Sequence, residues 1–218
     1  MLRFGPDHGP VAILTLPLLD EANRTRRLAV RMLQRLADHG IGGLLPDVPG
    51  QGESLAPLAP HHMLDDALAA LSERCLAEER RTYGIGIRSG ALLDSSARHT
   101  GRWHLTPQTG TELLREWHRL WLAAGHRGSQ EAMSAGDAPV EIAGHRVPVE
   151  LLASLIHVQL DTIRDRPYRV VRLSGDARAA DRVVAAPPPW RRSEPGDDVA
   201  LATLLADDIA TWMTACEA

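Results

Sequence analysis

Tyr83–Leu93, YGIGIRSGALL, is the stretch whose reading decides the fold. The β-rich run TYGIGI reads as a strand, and SGALLDSSA after it as the opening of a helix. Gly86 and Gly90 stand at the spacing of the strand–turn–helix motif G-x-S-x-G, whose middle residue is thrust out of the sheet on strained backbone. Here the middle residue is Arg88, and Ser89 follows it. A residue in the place of Ser89 lends its backbone N–H to an oxyanion hole, and its side chain points away from the tip. The same two glycines would equally serve a plain close approach between strand and helix, so both readings stand.

Working outward, VAILTLPLL (Val11–Leu19) is a continuous apolar run, the pattern of a strand buried on both faces. NRTRRLAVRMLQRLADHG follows with Leu28, Val30, Met32, Leu33 and Leu36 near helical spacing and Gly40 as a stop. IGGLLPDVPGQGES reads as a second strand leaving through a Pro/Gly loop, and HHMLDDALAALSERCLAEERR as a second helix. This alternation predicts a mainly parallel α/β sheet with right-handed crossovers and helices on both faces. Val11–Leu16, Ile41–Leu45, Tyr83–Ile87 and Tyr168–Leu173 are its expected parallel strands.

After Thr100 the rhythm changes. RWHLTP is a candidate fourth strand, and a small helical lid is expected over residues 107–165 of a single 1–218 domain. GTELLREWHRLWLAAG is its amphipathic helix, with Trp117 and Trp121 at i, i+4 on one face. Both indoles are expected to pack inward onto the sheet or to line an apolar pocket. VEIAGHRV suggests a hairpin, VELLASLIHVQL a helix, YRVVRL a strand and RVVAAPPPW a short strand halted by Pro187. DDVALATLLADDIATWM closes the chain as a helix, with Asp197 and Asp198 at its positive N-terminal end.

The chain has 218 residues, 44% of them hydrophobic, 24% charged, and a formal net charge of −4. That balance favours neither nucleic acid nor an anionic membrane. No lysine is present, and every basic side chain other than histidine is an arginine. Cys75 and Cys216 have no metal-like or redox-like spacing and read as reduced thiols in a cytoplasmic protein. The proline-broken N-terminal apolar stretch matches neither a spanning helix nor a signal peptide, and no other run looks long enough to insert in a membrane.

The order of these pieces resembles the α/β-hydrolase superfamily and, more narrowly, the α/β-hydrolase-like proteins encoded beside exosortase/PEP-CTERM export systems. PLLDEANRTRR, LLPDVPGQGES, GIGIRSGALL and RLWLAAG with VEIAGHRVPVELLASL carry the resemblance, from about Val11 to Trp190. The start departs from the superfamily pattern and implies a sheet shortened at the N-terminus. The resemblance implies an accessory role in an exosortase or exopolysaccharide system.

In the superfamily the triad runs in the order nucleophile, acid, then a histidine after the last strand. Asp176, after VVRLSG, suits the acid, or simply closes a turn. The last histidine is His157, ahead of that strand, so serine chemistry lacks its base. The catalytic candidates are therefore Arg88, Ser89 and Asp176, and the ligand-binding candidates Glu21, Asn23, Asp47 and Arg88. Glu21 and Asn23 belong to a polar site shared with Arg88 or to a charged helix start. Asp47 braces its loop. His61, His62 and Asp65 lack metal-ligand geometry, and neither metal nor cofactor is expected. Arg88 is expected to bind a small anionic or acyl ligand, unless Glu21 or Asp176 already neutralises it. Three functions stay open: a binding or accessory protein without a triad, an active hydrolase or acyltransferase with a non-standard site, and a structural or self-associating domain.

Overall fold

A computed structural model describes residues 1–160 and 166–217. Seven strands form one sheet: β1 (Leu2–Phe4), β2 (Val11–Thr15), β3 (Gly42–Leu45), β4 (Thr82–Ile87), β5 (Gly101–Leu105), β8 (Tyr168–Leu173) and β9 (Arg182–Val184), in the order β1-β3-β2-β4-β5-β8-β9. All neighbours are parallel except β1, which pairs antiparallel with β3. The four expected strands are parallel members of this sheet, with β5 between β4 and β8. Strand β1, ahead of the first expected strand, is three residues long with Leu2 and Arg3 exposed, so it carries no burial pattern to read. A separate hairpin joins β6 (Val140–Ile142) to β7 (His145–Val147), as VEIAGHRV suggested.

Helices cover both faces. α1 (Asp20–Asp38) and α6 (Val199–Glu217) share one face, where Leu28, Met32, Leu33 and Leu36 meet Leu205 and Ile209 over Tyr83, Ile85 and Trp103. α2 (His61–Ala77) covers the other, with Leu64 and Leu68 against Val11 and Ile13. Helix α6 is also long and apolar enough to cross a membrane by length and composition, contrary to the sequence reading. Its Leu201, Leu205, Ile209 and Met213 are instead buried in the core. Its Asp208 is the buried tie of the sheet: it accepts from the Trp103 indole at 2.8 Å, from Arg169 at 2.8 and 2.9 Å and from Arg182 at 2.6 Å, reaching three adjacent strands.

The segment expected as the lid lies between β5 and β8 and comprises α3 (Gly110–Ala123), α4 (Gln130–Met133), the hairpin, and α5 (Val149–Leu155). Its expected end at residue 165 lies outside the described residues. Thr109 and Glu112 close a capping box at the start of α3. Trp117 is buried at 3% exposure, whereas Trp121 is half-buried and stacks on the rings of His118 and His126, with centroids 5.8 and 5.0 Å away. Only one of the two indoles therefore points fully inward.

SGALLDSSA does not open an α-helix. Arg88–Leu92 form a short 3₁₀ turn, after which the chain leaves the helical path. Asp65 accepts from Ser95 Oγ at 2.8 Å and from the Ser96 N–H at 3.0 Å, and Arg102 donates to the Asp94 carbonyl at 2.8 Å and the Ala97 carbonyl at 3.0 Å. These side chains take the partners that a helix would have needed.

Candidate functional site

The site sits at the carboxyl ends of the strands, where open α/β sheets bind ligands. Strand β4 ends at Ile87, and Arg88 turns with φ 54°, a conformation uncommon for any residue but glycine. The flanking glycines are required by contact. A Cβ on Gly86 would lie 2.6 Å from Ala91 Cα, and one on Gly90 would lie 2.6 Å from the Leu16 carbonyl oxygen. The elbow is thus present, with its strained middle residue and two close approaches.

Its tip carries no nucleophile. Arg88 donates from Nε to Glu21 Oε2 at 3.2 Å, from Nη2 to Glu21 Oε1 at 3.1 Å and from Nη2 to Glu116 Oε2 at 2.7 Å. Its Cζ lies 5.0 Å from the centroid of the Trp190 ring, a cation–π arrangement. Burial raises the pKa of the Glu21 carboxyl, and the adjacent Arg88 charge opposes that rise without cancelling it. The internal ion pair is therefore what forms, joined by a second carboxylate from α3. Pairing of Arg88 with Glu21 is the alternative that the sequence reading left open.

Ser89 is fully buried, and its Oγ accepts from the Leu18 N–H at 2.9 Å. The next N–H, that of Leu19, goes to Gln51 Oε1 at 2.6 Å. Leu19 itself is strained at φ 59°. Donors on the loop after β2, where an oxyanion hole draws its second N–H, are thus taken by the protein's own side chains. Among the described residues no histidine bonds to Ser89.

Asp176 does follow the strand expected for the acid. It accepts from Arg178 Nε at 2.9 Å, Arg178 Nη2 at 2.7 Å and Arg172 Nη1 at 2.8 Å. These bonds, led by Arg178, hold its carboxyl far below the ordinary range. Arg178 in turn reaches Glu112 on α3 at 2.8 Å. After β9, where the triad order places histidine, the buried residue facing Arg88 is Trp190. Arg88, Asp176 and Trp190 line one cavity of about 280 Å³.

Two more cavities adjoin it. One of about 360 Å³ lies between the lid and the strand ends, lined by Leu18, Leu19, Glu21, Leu113, Trp117 and Trp190 among others. The other, about 260 Å³, is shared by Arg88, Gln108 and the outer face of α3. Asn23 and Asp47 are not part of this group. They line a separate void of about 20 Å³, where Asp47 accepts from Arg26 at 2.9 Å and from the N-terminal ammonium at 2.8 Å. His61 bonds to the Leu92 carbonyl at 2.6 Å, and among the described residues no cluster of histidine, cysteine and carboxylate is arranged to hold a metal. Cys75 and Cys216 are free thiols.

No family model matches the sequence, and no curated protein matches it. Solved structures do match. Est1E from Butyrivibrio proteoclasticus, solved with ferulic acid, aligns with a TM-score of 0.66 at 16% identity over 96% of this chain and 91% of its own. A hydrolase from Pseudomonas aeruginosa aligns at 0.59 and 16% identity over 97% and 92%. Mouse α/β hydrolase domain-containing protein 10 aligns at 0.58 and 13% identity over 97% and 93%. The chain has the α/β-hydrolase fold. Within that fold, Glu116, Gln51, Trp190 and Arg178 are the site residues that sequence reading missed. Trp190 alone carried a signal, as the aromatic that follows three prolines beyond the last strand.

Proposed function

We propose that this α/β-hydrolase-fold protein binds a small anionic or acyl ligand beneath its lid without hydrolysing it. One observation carries the reading: in triad order the three positions hold Arg88, Asp176 and Trp190, and Arg88 is committed to two carboxylates. A serine hydrolase needs a hydroxyl at the tip and an imidazole to take its proton. Here the tip is a guanidinium, the nearby hydroxyl of Ser89 is buried as an acceptor, and an indole replaces the imidazole. The mixed apolar and charged walls of the crevice suit a ligand with an apolar body and an anionic end.

The role that fits such a protein is accessory, in the cytoplasm, beside an exosortase or exopolysaccharide system. The sequence stretches around Arg24, Asp47 and Arg88 support that placement, and an exosortase gene beside this one would support it further.

The test of the chemistry is a fluorophosphonate probe together with short-chain ester and thioester substrates. No labelling and no turnover are expected. Covalent labelling of Ser89, traced by peptide mapping, would overturn the reading in favour of a displaced nucleophile.

A further inference from the structure

The cavity of about 260 Å³ beside Arg88 has an unbalanced wall. Five arginines line it, Arg88, Arg115, Arg119, Arg178 and Arg191, against two glutamates, Glu112 and Glu116. Both glutamates are already engaged: Glu116 takes Arg88 at 2.7 Å and Glu112 takes Arg178 at 2.8 Å. Arg115, Arg119 and Arg191 have no ion-pair partner among the described residues, so three positive charges face this space in a chain whose net charge is −4. Arg115 and Arg119 are one turn apart on α3, and Arg191 comes from the loop beyond β9, so two elements converge on the cavity.

A second observation points to a ligand independently of charge. Gln108 lines the same cavity at 4% exposure, and its Oε1 is buried without a hydrogen-bond partner. Its amide orientation is fixed, because the NH₂ group donates to Glu116 Oε2 at 2.7 Å and only that group can. The orphan is therefore an acceptor waiting for a donor. Thr106, also 4% exposed and strained at φ 46°, lines the adjoining cavity, and its buried hydroxyl has no hydrogen-bond partner. Buried polar atoms left unpaired are destabilising, and a ligand that satisfies them recovers that cost.

We propose that this cavity binds a phosphomonoester of a small hydroxylated molecule. Arg115, Arg119 and Arg191 hold the phosphate, and Gln108 Oε1 accepts a hydroxyl of the attached body. Guanidinium forks match phosphate oxygens bidentately, and three of them suit a tetrahedral dianion better than a single carboxylate. The body extends toward the 280 Å³ cavity, which shares Arg88, Arg178 and Arg191 with the first.

This proposal rests on the reading that the site binds without hydrolysing, and the two fail separately. A labelled Ser89 would overturn that reading and leave phosphate binding standing, whereas loss of phosphate binding would leave an unlabelled elbow as it is. The experiment is titration calorimetry on the full chain with glucose 6-phosphate, glucose, inorganic phosphate and phosphatidylserine vesicles. Saturable binding of the sugar phosphate, weaker binding of inorganic phosphate and none of glucose are expected. The affinity should rise with pH through about 6, as the ester becomes a dianion. Arg115→Gln with Arg119→Gln should weaken binding at least about tenfold, while Arg74→Gln, an exposed arginine on α2 away from the cavity, should not change it. Arg191→Gln, in the short turn beyond β9, provides a second variant outside α3. No saturable binding of either phosphate, or an affinity unchanged in all the arginine variants, would overturn the proposal. Binding of inorganic phosphate alone would overturn the hydroxylated ester, and binding of the vesicles alone would reassign the site to a lipid headgroup.

Discussion

Arg88 occupies the one position that decides what this fold can do, and its side chain is a strut. It reaches α1 through Glu21, the lid through Glu116 and the loop beyond β9 through Trp190. Removing one partner of a buried ion pair costs about 3–5 kcal/mol, because the other charge is stranded. Arg88→Ala leaves Glu21 and Glu116 facing each other at 19% and 27% side-chain exposure. It should lower stability by about 3 kcal/mol in urea denaturation, and Arg88→Lys should recover only part of this, since an ammonium lacks the fork. Arg88→Ser should give no esterase activity, because Trp190 cannot accept the serine proton. A measurable burst with a short-chain p-nitrophenyl ester in that variant would show that another base is in reach.

At the scale of elements, the elbow and the ties across the sheet set the tolerances. A methyl on Gly90 would press on the carbonyl oxygens of Thr15 and Leu16, backbone atoms at the end of β2 that cannot yield as a side chain can. Gly90→Ala should therefore cost about 2–3 kcal/mol in a thermal melt, while Gly136→Ala, whose nearest atom is 3.9 Å away, should be nearly neutral. Asp208 joins β5, β8 and β9 to α6, and its bonds to Arg169, Trp103 and Arg182 outweigh its burial to hold its pKa at about 2. Asp208→Asn should destabilise by about 2 kcal/mol, discounted because both arginines are partly exposed. The elements legible in the sequence were those with a strong period: the apolar run of β2, the amphipathic stripe of α1, and the glycine pair of the elbow. β1 and α4 are too short for any period. The expected helix after Gly90 failed because Asp65 and Arg102, remote in sequence, take the hydrogen bonds of the segment. The partners of Arg88 were half legible: Glu21 lies in a stretch already marked as polar, but Glu116 reads as an ordinary helix glutamate until the lid folds over.

For the molecule as a whole, acid should act in two stages. His99 is buried beneath the sheet beside Asp94, Arg102, His104 and Arg166, and burial pushes its pKa down to about 4. An unfolded histidine titrates near ~6.5, so below that pH protons favour the unfolded chain. The contribution of neutral His99 is fully present above pH ~6.5 and is lost as pH falls toward 4, on the order of 3 kcal/mol in total. Asp208, whose pKa is depressed, contributes above pH ~4 and is lost as pH falls toward 2. Urea midpoints measured from pH 7 to 3 should fall through the first window in the wild type and stay flatter there in His99→Gln. The double clamp on Arg88 also bears on the routes open to this sequence over generations. A single change from arginine to serine would strand two acids and still lack an imidazole, so each first step is a loss. A path toward serine chemistry at this tip has to begin at Glu21 or Glu116, the direct partners of Arg88, and only then reach residues 88 and 190. The clamp works as a ratchet in sequence space, resisting any single change at residue 88 through stability alone.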